Sequence, residues 1–361
     1  MQIESMRIGI AGAGLAGRLL AYALSSHGHQ VEVFDPAPDA HARVAAGWTA
    51  AGMLCPLAEM DTGDDYVYQL GQRSLGLWAD IARLCDNKID LRLKGSLMLA
   101  HTGDEGAASQ MISMLERKSP NPDDQPKAIS TKELQELEPS VQGPSHAWYL
   151  PFEGQVDTTL AMQTLCADAK GVTWHWGTTV NELNPGELVI GDEKRQFDWV
   201  FDTRGVGARR LKHPHPTELS CQNVRGVRGE IFWVQAPEVE LNRPLRLLHP
   251  RYHVYIVPRQ NNVFVIGASS IESEDRSPVS VRTTVELLAA AHSVVPGLSE
   301  GRLIRTETNL RPALVDNFPR IETEQGLSRI NGLFRHGWMI APAMIEEAIE
   351  EAFKLSMLAQ S

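Results

Sequence analysis

Close to the N-terminus the spacing of apolar residues changes twice within thirty positions. Arg7-Ile8-Gly9-Ile10-Ala11 reads as a short buried strand, the run Arg18 to Leu24 takes helical spacing, and Val31-Glu32-Val33-Phe34 reads as a second strand. Further along, the pattern predicts a helical stretch from Tyr66 to Asp86 and a strand from Gly95 to Ala100. Ser130-Thr131-Lys132-Glu133 has capping-box spacing before a short helix that stops at Pro139. Gly154-Gln155-Val156-Asp157 opens another helix through Ala169, followed by strands at Gly171–Trp176 and Phe197–Thr203. Between Gly229 and Gly267 the chain turns to strands joined by Pro and Gly: Glu230–Val234, Tyr252–Val257 and Val263–Ile266, which read as an antiparallel sheet. A helix at Val279–Ser293 and a strand at Leu303–Leu310 come next. The last helix is predicted to start at Ala341-Pro342, because Pro suits a first helical turn, and to run to Leu358.

The turn between the first strand and its helix carries the chemistry. Gly12-Ala13-Gly14-Leu15-Ala16-Gly17 is G-x-G-x-x-G in a strand–turn–helix setting, and the second strand ends in Asp35 followed by Pro36. In that pattern the first glycine permits a tight turn, the second lets the backbone approach a pyrophosphate, and the third allows close helix–strand packing. The acid at the end of the second strand takes a ribose hydroxyl pair, and the helix N-terminus holds the phosphates. The next segment favours flavin over nicotinamide. Gly47-Trp48-Thr49-Ala50-Ala51-Gly52-Met53 is dense in small residues, which suits a backbone pressed against a flat ring, and no further β-α alternation continues the unit.

The chain has 361 residues and a formal net charge of −11, which argues against general nucleic-acid affinity. The charge is uneven: between Arg204 and Arg259 there are ten Lys/Arg against four Glu. A solvated or interface surface and an anionic partner, such as an RNA, both remain open for that stretch. No run of about 18 apolar residues predicts a membrane span. No basic-plus-apolar leader is evident, so a cytoplasmic protein is expected. Cys55, Cys85, Cys166 and Cys221 lack metal or disulfide spacing and read as reduced thiols, and His213-Pro214-His215 lacks a partner at metal spacing. No metal is expected.

Several motifs together resemble the FAD-dependent D-amino-acid oxidase family, and within it the glycine oxidases of bacterial thiamine biosynthesis. They are GAGLAG with Asp35, the GWTAAGM segment, Glu153-Gly154-Gln155-Val156-Asp157, and Tyr252-His253-Val254-Tyr255-Ile256-Val257-Pro258-Arg259. Asn309-Leu310-Arg311-Pro312 and Phe334-Arg335-His336-Gly337-Trp338-Met339-Ile340-Ala341-Pro342 complete the set. The resemblance implies an α/β fold with a Rossmann-like FAD-binding domain (1–90, 145–225 and 303–361) and an antiparallel-sheet α+β substrate domain (91–144 and 226–302). It implies non-covalent FAD held additionally by Val180, Gly205, Arg311 and the backbone of His336-Gly337-Trp338-Met339. Arg335 would bind the substrate carboxylate, Tyr255 would share its pocket, Arg311 would line the mouth, and His253 would stand nearby. The implied reaction is oxidation of glycine or another small amino acid or amine to the imine by molecular oxygen, with hydrogen peroxide released, in a homo-oligomer. A dehydrogenase using another acceptor, an oxidase acting on an aminomethyl nucleoside in RNA, and a non-catalytic flavoprotein partner remain as alternatives. The chain departs from the family pattern at His336 (usually Asn), at the bulky Trp338, at Glu230 (usually an amide), and at Asp202-Thr203-Arg204-Gly205.

Overall fold

A computed structural model describes residues 5–210, 219–249 and 253–360, without the side chains of residues 253, 359 and 360. Tyr252, His213 and His215 therefore lie outside the described residues.

The two N-terminal strands form as the pattern predicts, over Arg7–Ala11 and Gln30–Asp35, and pair in parallel with Ile10 opposite Val33. They lie in a six-stranded sheet ordered Arg320–Glu324, Leu327–Asn331, Trp199–Asp202, Arg7–Ala11, Gln30–Asp35, Thr173–Trp176, parallel except at the first pair. Helices Leu15–Ser26, Asp65–Leu84, Thr158–Asp168 and Gly337–Gln360 cover it, and Ile8, Leu20, Trp78, Phe201, Met344 and Ala348 share one core. Parallel strands buried on both faces explain why the first strand reads as a nearly continuous apolar run.

The second sheet has eight strands, ordered Arg302–Ala313, Arg225–Gln235, Val263–Gly267, His253–Pro258, Leu245–Leu248, Ser96–Ala100, His146–Leu150, Lys127–Ile129. Its pairs are antiparallel except Leu245–Leu248 with Ser96–Ala100. Two of its strands, His146–Leu150 and Arg302–Ala313, fall on the other side of the sequence-based divisions at 145 and 303. Each pairs along its length with a strand of this sheet, so hydrogen bonding places them here. Helix Val281–Val294 packs on this sheet through Leu287, Ala291 and Val294.

Three further elements differ from expectation. Gly154–Val156 is a strand, and the helix begins at Thr158 with Asp157 as its cap, accepting from the Thr159 and Leu160 N–H groups at 2.9 Å. The last helix starts at Gly337, so Pro342 is inside it. The residue four places earlier, Trp338, has a carbonyl that no proline N–H can reach, and Trp78 Nε1 donates to it at 2.8 Å. Glu182–Asn184, Glu187–Ile190 and Glu193–Gln196 form a small antiparallel sheet that the pattern does not foretell. Among the described residues, no helix is long and apolar enough to cross a membrane and no group of three or more His, Cys, Asp or Glu could hold a metal.

Candidate active site

The glycine turn is built around contacts that side chains would block. Gly12 has φ 101°, and a Cβ there would fall 2.7 Å from the Thr203 carbonyl oxygen. A Cβ on Gly17 would fall 1.8 Å from the Gly12 carbonyl oxygen, whereas one on Gly14 would meet nothing nearer than Ala45 Cβ at 3.6 Å. The first and third glycines thus let helix and strand close together, and the second faces open space. Asp35 is positioned as expected at the strand end, and its carboxylate already accepts from Ala13 N–H at 2.6 Å and Ala37 N–H at 2.8 Å. Arg18, unremarked in the sequence, fastens this corner. It is 1% exposed, donates to the carbonyls of Ala13, Met162 and Ala40, and lies over the rings of Trp48 and Trp176.

From this turn a cavity of about 940 Å³ runs past the 44–53 segment to Tyr255, Arg311 and Arg335. Its volume lies near the upper end for small-molecule sites, as a dinucleotide with a substrate beyond it requires. Gly12, Ala13, Gly14, Leu15, Ala16, Asp35, Pro36, Val180 and Gly205 line it, together with Gly47 to Met53 and His336 to Met339. Gly17 lies behind the wall, where its role is packing. The N–H groups of Gly337, Trp338 and Met339 open the last helix at the cavity wall. Trp338 Nε1 donates to the Gly47 carbonyl at 3.0 Å and ties that helix start to the small-residue segment. The glycine cradle, the small-residue wall and a helix N-terminus at one end fit FAD.

At the far end, strand register brings the polar residues together. Tyr255 stands opposite Gly267, where a Cβ would lie 2.6 Å from its hydroxyl oxygen. Arg311, opposite Val227, runs over Gly229 and donates from Nη1 to the carbonyls of Ser269 at 2.9 Å and Arg228 at 3.4 Å. Its other donors make no hydrogen bond to described residues. Arg335 makes none at all among them, and its nearest ionic neighbour is Glu59 at 3.8 Å. His253 lies on the same strand as Tyr255, but its side chain lies outside the described residues.

Two residues that sequence reasoning missed complete this end. Glu59, on the short turn Ala58–Asp61, accepts from Arg246 Nη2 at 2.5 Å, and Arg246 is itself 9% exposed on the strand Leu245–Leu248. The one signal was an arginine alternating with leucines in an otherwise buried strand. The turn is held by Glu153, which accepts from Ala58 N–H at 2.9 Å. Burial alone would push the Glu59 carboxyl up, but Arg246, Arg335 and His336 outweigh it and hold the group well below the usual carboxylate range. Burial raises the Tyr255 hydroxyl, with Arg311 opposing, so it stays a neutral donor. Burial lowers Arg311, with Tyr255 opposing and Arg335 adding to it; a guanidinium so placed keeps its charge at neutral pH.

Cys55 is buried, with Sγ 3.8 Å from the Gly154 carbonyl, and burial pushes its thiol up. Of the ten basic residues between Arg204 and Arg259, seven are paired with acids: Arg204 with Asp202, Arg209 with Glu274, Arg225 with Glu272, Arg228 with Glu230, Arg243 with Glu138, Arg246 with Glu59 and Arg259 with Asp157. All of these acids except Glu230 lie outside the stretch, which is why counting along the chain overstated its charge.

Comparison with known proteins supplies the family. The chain is 34% identical over 343 residues to a Rhizobium etli protein named "Putative thiamine biosynthesis oxidoreductase ThiO", with 95% of each chain covered. A glycine oxidase structure from Bacillus cereus superposes with a TM-score of 0.83 at 20% identity, covering 97% of this chain and 98% of that one. A glycine oxidase structure from Geobacillus kaustophilus gives 0.79 at 25% identity, covering 98% and 95%. The model of the FAD dependent oxidoreductase (DAO) family matches residues 7–350, and the chain belongs to that family of FAD-dependent enzymes.

Proposed function

We propose that the protein oxidises glycine or another small amino acid at its Cα–N bond, giving the imine. The observation that carries this reading is the pairing of Arg311 and Arg335, two guanidiniums with unused donors, beside the neutral Tyr255 hydroxyl at the end of the FAD cavity. The α-carboxylate is held between them. Arg311 is the preorganised half, because backbone carbonyls already fix its plane, and Tyr255 adds a hydroxyl donor. Arg335 closes the clamp from the loop before the last helix. The family resemblance implies Arg335 for this task, with Tyr255 in its pocket and Arg311 at the mouth; in our reading the task is divided between a strand-borne and a loop-borne arginine.

Bound FAD would supply the acceptor for the hydride leaving Cα, with molecular oxygen as the oxidant and hydrogen peroxide as its product. The chain's own residues orient the substrate and exclude water. The N–H groups of Gly337, Trp338 and Met339 favour negative charge at the cavity wall by roughly 0.3–2 kcal/mol. With Cys55 turned to a carbonyl and its thiol held neutral, the flavin is bound without a covalent link. The six-stranded sheet carries the nucleotide and the eight-stranded sheet the substrate. The protein works in the cytoplasm as a homo-oligomer, and the name of the Rhizobium relative supports a role for the imine in making thiamine.

Anaerobic mixing with glycine, sarcosine, D-alanine, D-proline and L-amino acids tests this reading. Glycine or a small relative bleaches the flavin, and air restores the colour with one peroxide per imine. Arg311→Ala and Arg335→Ala keep FAD and each lose roughly 2–5 kcal/mol in kcat/KM. A flavin that no amino acid bleaches rejects the function, and imine formed without peroxide replaces oxygen with another acceptor.

A further inference from the structure

One oxygen of Glu59 is pinned and the other is contested. Oε1 accepts from Arg246, whose Nη1 also donates to the Ala58 carbonyl at 3.2 Å. Ala58 N–H, held by Glu153, anchors the turn, and Arg246 anchors the carboxylate it carries. Oε2 is buried and makes no hydrogen bond. It faces His336 Nδ1 at 3.2 Å, also buried and also without a hydrogen-bond partner, and Arg335 Nη2 at 3.8 Å.

We propose that His336 is a positioning residue: by occupying the free oxygen of Glu59, it keeps Arg335 from closing on that carboxylate and leaves the guanidinium available to the substrate carboxylate. This rests on the proposed function, in which Arg335 completes the clamp. A guanidinium and a carboxylate in a sheltered cavity close into a hydrogen-bonded pair unless something intervenes, and Arg335 lies only about 1 Å beyond that contact. The imidazole intervenes in two ways. It fills the space, being 4% exposed, and a proton on Nδ1 takes the Oε2 lone pair after a small turn of the ring. A neutral donor suffices, so Asn can substitute and an aliphatic side chain cannot. Without the donor, substrate must first break an internal ion pair. That penalty falls on carboxylate binding, not on the chemical step.

The test uses holoenzyme and two readouts: the acetate Kd from the change in flavin absorbance, and KM and kcat for glycine. His336→Ala raises the acetate Kd and the glycine KM roughly tenfold or more, with kcat changed much less. His336→Asn stays within about threefold of wild type on the same scale. The deciding variant is His336→Ala with Glu59→Gln, which removes the competing charge and brings both constants back toward wild type. A role limited to packing would make the double variant worse than the single one. If His336→Ala does not retain FAD, His336→Leu, alone and with Glu59→Gln, carries the same comparison. An acetate Kd unchanged in the single variant, or no recovery in the double, overturns the proposal. Wild-type enzyme that binds acetate but is bleached by no amino acid would instead count against the function, so the two failures are separable.

Discussion

A Cβ on Gly17 would lie 1.8 Å from the Gly12 carbonyl oxygen, so helix Leu15–Ser26 reaches its place over the first strand only because that position has no side chain. The obstacle is backbone and cannot rotate away. Gly17→Ala therefore displaces the helix start and lowers stability by roughly 1–3 kcal/mol, with reduced FAD content in the purified protein. Gly76 is the control. It sits exposed in the helix Asp65–Leu84 with nothing within 4 Å of its added Cβ, so Gly76→Ala leaves FAD content unchanged and raises stability by roughly 0.5–1 kcal/mol. Thermal unfolding and the flavin-to-protein absorbance ratio check both. Equal FAD content in the two variants would show that close packing at Gly17 does not shape the nucleotide site. This end of the site was legible in the sequence because each glycine answers a local backbone demand. Glu59 and Arg246 were not, since they are 187 positions apart and meet only through the fold.

At the level of elements, the last helix shows how a local rule is overridden. Pro342 reads as a first-turn residue, yet the helix begins at Gly337 and carries the proline in its second turn. The cost of that placement is a missing hydrogen bond at the Trp338 carbonyl, and Trp78 Nε1 supplies the replacement from 260 positions away. The extra turn puts three N–H groups at the cavity wall. Trp78→Phe keeps a ring stacked on Trp338, whose centroid lies 5.6 Å from that of Trp78, but leaves the carbonyl unsatisfied. It costs roughly 1–3 kcal/mol of stability and weakens FAD retention, measured by melting and by dialysis against FAD-free buffer. Normal melting and retention would mean that the carbonyl finds another donor. The same dependence on distant partners explains His146–Leu150 and Arg302–Ala313. The second reads as a strand from Leu303 to Leu310 and the first is not foretold at all, while the sheet of both is decided by pairing that no local pattern encodes.

Over the whole molecule, electrostatics bear on the choice between the proposed free amino acid and an aminomethyl group on RNA. The chain carries a formal charge of −11, and seven of the ten basic residues in its apparent basic stretch are ion-paired. Arg228 and Glu230 are buried together, Arg246 is committed to Glu59, and Arg259 faces Asp157 at 3.5 Å. An RNA-binding surface needs cations free to neutralise phosphates, and each phosphate so neutralised adds about 0.9 to the salt slope for a duplex. Paired arginines supply no such contacts. Arg311 and Arg335, both with donors unused among the described residues, line the cavity at the end away from the glycine turn, where they suit a small carboxylate. Unfractionated tRNA is thus expected not to bind at micromolar protein in 50 mM salt, as followed by fluorescence anisotropy. The anionic ligands that do bind will be small carboxylates, and their affinity will fall in Arg311→Ala and Arg335→Ala. Micromolar tRNA binding that weakens steeply between 50 and 200 mM salt would reverse this expectation, because it would require cations beyond the seven that the stretch commits to ion pairs.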